Sequence, residues 1–241
     1  MHLFQFYIRP ERIQTTHISI TGEEFSHCCR VLRKRIGDMV NVIDGIGNHY
    51  EARIQSIERD QAVAEIVRKY SEPEIRPAIS LGFGLVKHKA LDMIIPQISS
   101  MGVRTLFPLH TRHSVKQGFQ KSRFLKKAIE AVKQSGSAFL PDIEEETTLS
   151  EWFKRNAGAD LKIIAEPDHS VPLWTVIRDR PEISSVAAMI GPEGGFDEEE
   201  VENARSQGYQ VVSLSERRLR AELAATVLVA NILALTNAKE T

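Results

Sequence analysis

The chain has 241 residues, of which 42% are hydrophobic and 26% are charged, and its formal net charge is -1. At about 100–200 residues per domain, this length predicts one large or two modest domains, and the composition excludes a disordered chain. No apolar run approaches the roughly 18–20 residues that span a bilayer, and the first ten residues lack a signal-peptide pattern. We therefore expect a cytoplasmic protein without membrane spans.

Residues 1–70 have the pattern of a small β-domain. Segments rich in β-branched residues predict strands over 14–20, 39–44, 49–57 and 61–67. Apolar residues at helical spacing predict one helix over 22–32. Many short strands within about seventy residues indicate a small barrel. Residues 71–77 contain two prolines and alternating charges, so we predict a linker there.

From residue 78 onward, apolar runs alternate with helical patterns. The runs predict buried strands over 79–86, 103–109, 161–165, 186–190 and 210–214. The intervening patterns predict helices over 89–100, 121–134, 171–178, 197–207 and 219–235. This alternation is typical of an α/β domain with a mainly parallel sheet, so we assign residues 78–241 to a second domain.

Charge is unevenly distributed along the chain. Residues 71–140 carry eleven Lys and Arg against four Asp and Glu, and between positions 104 and 133 eight cations face only Glu130. His110 and His113 lie in the same stretch. Concentrated positive charge favours binding to phosphate backbones, although a solvated helix face is the alternative. The eight histidines and the adjacent Cys28 and Cys29 show no metal-ligand spacing, so we expect no metal site.

The most informative motif is the sequence IGPEGGFD at positions 190–197. It follows a predicted buried strand, and Asp197 with Glu200 three residues later forms a capping-box pattern that marks a helix start. Glycines at the carboxyl end of a parallel strand let the backbone approach a ligand closely, in the crevice where open α/β sheets bind ligands. A tight strand-to-helix turn without a ligand remains the alternative.

A second motif, LSERRLRAE at positions 214–222, connects a predicted strand to a long apolar helix. One face of that helix would carry Leu223, Val227, Ala230 and Ala234, and other apolar residues widen it to nearly the whole circumference. Such a helix is buried in a core or against a second subunit. Arg220 and Glu222, at the start of this helix, are candidates for a functional role.

These two motifs together resemble the SPOUT methyltransferases, and the nearer match is the uracil-N3 methyltransferase family of small-subunit ribosomal RNA. The resemblance covers nearly the whole chain, because the N-terminal segment resembles that family's PUA-like barrel. The matching barrel positions are His27, Val31, Leu32, Arg33, Gly37, Asp38, Asp44 and Gly45.

The resemblance implies a C-terminal trefoil knot that holds S-adenosylmethionine, in a homodimer with ribosomal RNA or the small ribosomal subunit as partner. It also implies that three loops contact the cofactor. The residues so assigned are Glu166, Pro167, Gly191, Pro192, Glu193, Gly194, Gly195, Leu214, Ser215, Arg217 and Leu219.

For catalysis we assign Arg220 to stabilise negative charge on the uracil oxygens, and Glu222 to orient Arg220 or to accept the N3 proton. RNA contacts are assigned to cations on both domains: Arg30, Arg33, Arg35, Arg112, Lys116, Lys126 and Lys127. The chain departs from the family pattern at Gln97, Ser100, Lys133, Ser137, Ala221 and Leu223. Two alternatives therefore stay open, a silent RNA-binding assembly factor and a methyltransferase for another base.

Overall fold

The computed structural model describes residues 5–116, 118–168, 170–178, 180 and 182–237. The chain divides into two compact units. The first contains Met1–Glu74 together with Ile129–Leu140, and the second contains Ile75–Ala128 together with Pro141–Thr241.

The first unit is built on a five-stranded sheet. Its strands are β1 (Gln5–Tyr7), β2 (His17–Thr21), β3 (Met39–Ile43), β4 (Asn48–Ile57) and β5 (Gln61–Ser71), in the order β1-β3-β4-β5-β2. The β1–β3 pair is parallel and the other pairs are antiparallel. Alternate residues of the longer strands point into one core, which includes Ile18, Ile20, Val40, Val42 and Ile54. Period-2 patterning therefore located four strands, whereas the three-residue β1 was missed.

The helix predicted over 22–32 is only partly α-helical. Helix α1 covers Gly22–Phe25, and the chain continues as a π-helical segment over Ser26–Val31. The amide of Leu32 donates to the carbonyl of His27, five residues earlier, at 2.9 Å. Phe25 and Cys28 turn into the barrel core. The prediction was right about the location and wrong about the uniform 3.6-residue period, because the wider turn still buries the same apolar side chains.

The second unit contains an eight-stranded parallel sheet. Its strands are β6 (Ala78–Gly84), β7 (Thr105–His110), β8 (Asp142–Ile143), β9 (Thr147–Thr148), β10 (Leu161–Ala165), β11 (Val171–Pro172), β12 (Ser185–Ile190) and β13 (Gln210–Ser213). The order is β11-β13-β10-β12-β6-β7-β8, and β9 pairs with β7 beside β8. Central strands are buried almost throughout, as expected for a parallel sheet covered on both faces.

In the described part of the chain, six helices accompany this sheet in chain order. They are α2 (His88–Ser100), α3 (Lys121–Ser135), α4 (Leu149–Arg155), α5 (Leu173–Ile177), α6 (Glu198–Ser206) and α7 (Ala221–Asn237). The end of α3, from residue 129, belongs to the first unit. The predicted helix over 171–178 is wrong at its start, where Val171 and Pro172 form β11. The predicted fold class, an α/β domain with a small N-terminal β-domain, is confirmed.

No helix among the described residues is long and apolar enough to cross a bilayer.

Candidate functional site

Three neighbouring strands of the parallel sheet end at one cavity. Strands β10, β12 and β13 are adjacent and point the same way, so the loops that follow them meet at one edge of the sheet. A cavity of about 340 Å³ lies there. Its wall includes Glu166 after β10, Gly191 after β12 and Leu214 after β13.

The structure brings together on this wall ten of the eleven residues assigned from sequence to the cofactor. They are Glu166, Pro167, Gly191, Pro192, Glu193, Gly195, Leu214, Ser215, Arg217 and Leu219. Arg220, assigned to catalysis, lies on the same wall. Two assigned residues, Gly194 and Glu222, are not among the described residues of the cavity wall. Sequence reasoning did not assign six further wall residues: Ala165, Ile190, Val212, Arg218, Ala221 and Ala224. Ala165, Ile190 and Val212 lie at or next to the carboxyl ends of β10, β12 and β13. Their positions at the ends of predicted strands could have identified them from the sequence.

The glycine motif forms a closed turn in which a side chain at Gly191 or Gly195 would not fit without strain. The amide of Gly195 donates to the carbonyl of Pro192 at 2.9 Å. A Cβ atom on Gly191 would lie 2.9 Å from the carbonyl carbon of Gly195, inside the turn. Gly195 has a φ of +73°, in the left-handed region that favours glycine. The cavity wall is therefore made of backbone groups at this point.

The helix that follows the turn begins as predicted. The side chain of Asp197 caps α6, and Oε2 of Glu200 accepts from the Asp197 amide at 2.9 Å, so the capping box is confirmed. The other carboxylate oxygen of Glu200, Oε1, accepts from the amide of Arg112 at 2.8 Å. The start of α6 therefore fixes the glycine turn to the loop after β7.

The loop after β13 carries three arginines that line the cavity. The amide of Arg217 donates to Oγ of Ser215 at 3.1 Å, and the carbonyl of Arg220 accepts from the amide of Ala224 at 2.8 Å. Helix α7 thus begins at Ala221, two residues later than the sequence predicts. Arg220 is therefore the N-cap residue of α7, at the positive end of the helix dipole, which disfavours a cation there.

Glu166 is the half-buried carboxylate of the wall. Its Oε2 accepts from the amide of Phe196 at 3.4 Å. Burial raises the pKa of Glu166 above its usual value, and the nearby charge of Asp168 adds to that rise. Arg218, which pairs with Asp168 at 3.3 Å, acts in the opposite direction. The wall therefore combines this partly desolvated carboxylate with the three arginines of the loop after β13.

The cations assigned to RNA are mostly exposed. Arg30, Arg33 and Arg35 are exposed on the first unit, and Arg112, Lys116 and Lys126 are exposed on the second. Lys127 is half-buried, with Nζ 3.5 Å from Oδ1 of Asp92. Several cations between 104 and 133 thus have carboxylate neighbours that a local count of charges does not reveal. No cluster of three or more metal-ligating side chains occurs in the described part of the chain.

Comparisons with known proteins show what the chain is similar to. A family model described as an RNA methyltransferase domain matches residues 73–233, and one described as an RNA methyltransferase PUA domain matches residues 20–67. A Synechocystis protein named ribosomal RNA small subunit methyltransferase E is 27% identical over 237 residues, which cover 96% of this chain and 78% of that protein.

Two solved structures resemble the chain over nearly its whole length. A methyltransferase from Legionella pneumophila, in complex with its bound cofactor SAM, has a TM-score of 0.84 at 26% identity, covering 97% of this chain and 98% of that one. The ribosomal RNA small subunit methyltransferase E of Neisseria gonorrhoeae, bound to S-adenosyl methionine, has a TM-score of 0.84 at 24% identity with the same coverage, which shows a shared fold.

Proposed function

The chain belongs to the RNA methyltransferase family, and from that premise we propose that it transfers a methyl group from S-adenosylmethionine to N3 of a uridine in the 16S RNA of the small ribosomal subunit. The observation that carries this proposal is the cavity at the ends of β10, β12 and β13, with its backbone-lined glycine turn. The Legionella methyltransferase, 26% identical over 97% of this chain, contains bound SAM and supports the choice of cofactor.

The residues of the cavity fit this cofactor. A volume of about 340 Å³ lies within the range of roughly 300–1,000 Å³ typical of small-molecule sites. Peptide N–H and C=O groups can read the edges of an adenine, and Gly191 lets the turn that carries such groups close, because a Cβ atom there would collide with the backbone of Gly195. When bound, the cofactor supplies an electrophilic methyl group, which the lone pair of N3 attacks while the carbon–sulfur electrons stay on sulfur.

Uracil N3 lies on the Watson–Crick edge, so the target must be unpaired or flipped out of its helix. Arg220, on the cavity wall, would stabilise the negative charge that develops on the uracil oxygens as N3 loses its proton. Glu222 lies one residue into α7 and off the described wall, which favours its orienting role toward Arg220 over direct contact with the base.

RNA would bind through the exposed cations on both units. Arg30, Arg33 and Arg35 surround the end of the π-helical segment, whereas Arg112 and Lys116 lie in the loop beside the glycine turn. Phosphate contacts of this kind release counterions, so RNA affinity should fall steeply as salt is added. Lys126 and Lys127, on α3, complete the set, although Asp92 offsets part of the charge of Lys127.

The expected homodimer is supported by an exposed apolar stripe on α7. Leu223 is 50% exposed, and Ala230 and Ala234 are exposed on the same helical face. Met93 on α2, a helix that packs against α7, is 45% exposed as well. A second copy of the chain would cover this surface. The trefoil knot, the cytoplasmic location and the division into a barrel (1–70), a linker (71–77) and a methyltransferase domain (78–241) belong to the same proposal.

Nucleoside mass spectrometry of ribosomal RNA from cells with and without this gene tests the function. The proposal predicts that one methylated uridine, 3-methyluridine, disappears with the gene and returns with a plasmid copy. Loss of a different methylated nucleoside would instead indicate another base. Unchanged nucleosides combined with a defect in subunit assembly would indicate the silent RNA-binding factor.

A further inference from the structure

One carboxylate at the start of α6 holds two segments that lie far apart in the sequence. Oε2 of Glu200 accepts from the amide of Asp197 at 2.9 Å, and Oε1 accepts from the amide of Arg112 at 2.8 Å. Asp197 follows the glycine turn directly, whereas Arg112 lies 88 residues before Glu200, in the loop after β7. Glu200 therefore joins the turn of the proposed cofactor site to a loop that carries cations assigned to RNA.

The loop after β7, residues 111–116, also contacts the turn at the cavity. Nδ1 of His113 lies 3.3 Å from the carbonyl oxygen of Gly195, and since a carbonyl only accepts, Nδ1 is the donor. Gly195 lines the cavity. A Cβ atom on Gly194 would be 2.9 Å from Cβ of His113, so the close approach requires glycine there. The loop and the turn therefore meet both at the cavity and at the start of α6.

A β-turn in this loop presents the amide that Glu200 binds. The amide of Ser114 donates to the carbonyl of Thr111 at 3.1 Å, which places Arg112 and His113 at the two central positions of the turn. The amide at the first central position takes no part in the turn's own hydrogen bond. The amide of Arg112 can therefore donate to Glu200 without disturbing the turn.

The same loop is attached to the end of the sheet on which it stands. Oγ of Ser114 accepts from the amide of Leu85 at 3.1 Å and donates to the carbonyl of Leu109 at 3.1 Å. The side chains of Arg112 and Lys116, in contrast, are exposed. The loop thus combines a fixed backbone with cations that can bind phosphates, and such a combination holds RNA at a defined position.

We infer that Glu200 is a positioning residue for methyl transfer, which holds the RNA-binding loop after β7 in place relative to the turn that carries the methyl donor. This inference rests on the proposed function. Transfer requires uracil N3 and the methyl carbon to approach in line, and a displacement of about 1 Å caused far from the reacting atoms can cost about 10²-fold in rate. Glu200 is not on the described cavity wall, so it acts through Arg112 and the glycine turn.

The contact requires a side chain with two acceptors at position 200. Both partners of Glu200 are backbone amides, which only donate, and each bond to the ionised carboxylate is charge-assisted. Glu200 is half-buried, whereas Glu198 and Glu199 in the same helical turn are exposed. The first turn of α6 therefore contains three glutamates, of which Glu200 is the one that links the two segments.

Glu200→Ala and Asp197→Ala separate the positioning role from helix capping. Each removes one carboxylate from the start of α6, and Asp197→Ala also loses a cap, because Oδ1 of Asp197 accepts from the amide of Glu199 at 3.0 Å. Only Glu200→Ala releases the amide of Arg112. At saturating cofactor and RNA, we expect the single-turnover rate to fall about 10- to 100-fold in Glu200→Ala and to stay within about threefold of wild type in Asp197→Ala. Affinity for S-adenosylmethionine should be the same in all three proteins.

Arg112→Pro and Arg112→Ala isolate the single hydrogen bond from the loop. Both variants lose the guanidinium, but only proline also lacks the amide, and proline is favoured at the first central position of a β-turn. At saturating RNA, Arg112→Pro should transfer the methyl group about 10- to 100-fold more slowly than Arg112→Ala. The two variants should share one raised KM for RNA, because both lack the same phosphate contact.

A further readout does not depend on turnover. Amide hydrogen exchange of the cofactor-free full chain, measured by mass spectrometry over residues 111–116, should be about tenfold faster in Glu200→Ala than in wild type and unchanged in Asp197→Ala. Equal exchange in those two variants would overturn the inference, as would equal rates for Arg112→Pro and Arg112→Ala at saturating RNA. A wild-type protein that transferred no methyl group would instead contradict the proposed function itself.

Discussion

Glu166 lies against Gly195 in the wall of the cavity: a Cβ atom on Gly195 would be 3.2 Å from Oε2 of the Glu166 carboxylate. The same oxygen accepts from the amide of Phe196. The glycine turn after β12 and the loop after β10 are therefore joined through one half-buried acidic side chain. This contact links the stability of the site to the protonation of Glu166.

Replacing Glu166 by Gln should stabilise the cofactor-free protein at neutral pH. Because burial raises the pKa of Glu166, the ionised carboxylate destabilises the folded state above that pKa, and this cost disappears as the pH falls through it. We expect a melting temperature roughly 1–3 °C above wild type at pH 8 and no difference at pH 4. Glu145→Gln, at a carboxylate with 75% exposure, is the control and should show no such pH-dependent gain. A constant difference across the pH range would contradict this account of Glu166.

Alanine at Gly191 should reduce cofactor binding. The added Cβ would meet the backbone of Gly195 at 2.9 Å, and overpacking of this kind costs about 1–3 kcal/mol, which corresponds to about 5- to 150-fold in affinity. Calorimetric titration with S-adenosylmethionine measures the change. Gly158→Ala is the matched control, since a Cβ atom on Gly158 would meet no atom within 4 Å. Equal affinities for the two variants would show that the turn does not contact the cofactor.

Lys133→Met should strongly destabilise the protein. Lys133 is 8% exposed and its Nζ lies 2.9 Å from Oε1 of Glu24, which is itself largely buried and has a pKa raised by burial. Removing the cation leaves a buried carboxylate unpaired, at a cost of about 3–5 kcal/mol in urea unfolding. Adding Glu24→Gln should recover much of that loss. Lys121→Met, from a more exposed pair with Glu145, should cost less than about 1 kcal/mol.

Arg220→Ala should lower the rate of methyl transfer with little effect on folding. Loss of one charge-stabilising donor typically costs about 10²–10³ in rate, and Arg220 is exposed on the cavity wall. Arg220→Lys keeps the charge but not the planar guanidinium and should retain part of the rate. The rate of methyl transfer is measured in a single turnover with enzyme saturated by cofactor. Arg59→Ala, in the turn between β4 and β5, serves as control, and equal rates for it and Arg220→Ala would remove Arg220 from the mechanism.

Leu223→Glu should weaken self-association. Leu223 is half exposed on the apolar stripe of α7, and a carboxylate there would have to be desolvated in a dimer. Sedimentation velocity should show a dimer for the wild type and a monomer for the variant. Val67→Glu places the same charge at a similarly exposed apolar residue of β5 and should leave the dimer intact. A monomeric wild type would contradict the proposed assembly.

Hydrophobic periodicity located the long elements of this fold because their burial follows a regular repeat. Strand β10 has the predicted bounds, and the glycine turn with its capping box was found from residue types alone. Helix α4 was missed because seven residues give too short a repeat. The sequence nevertheless contains its N-cap residue, Thr148, whose Oγ1 accepts from the amide of Glu151 at 3.2 Å.

Contacts between distant segments could not be predicted in the same way. The positive stretch between 104 and 133 looked nearly free of acidic neighbours, but Asp92, Glu145 and Glu24 approach its cations. The contact between His113 and the glycine turn joins residues 82 positions apart. Such pairs depend on the tertiary fold, so local spacing carries no signal for them.

Methyl transfer by the purified protein to ribosomal RNA from cells that lack this gene tests the central claim most directly. With S-adenosylmethionine labelled in its methyl group, the account predicts label in a single nucleoside, identified by mass spectrometry as 3-methyluridine, with Gly191→Ala transferring far less and Gly158→Ala as much as wild type. Absence of labelled nucleoside, with RNA supplied both free and in assembled small subunits, would contradict it.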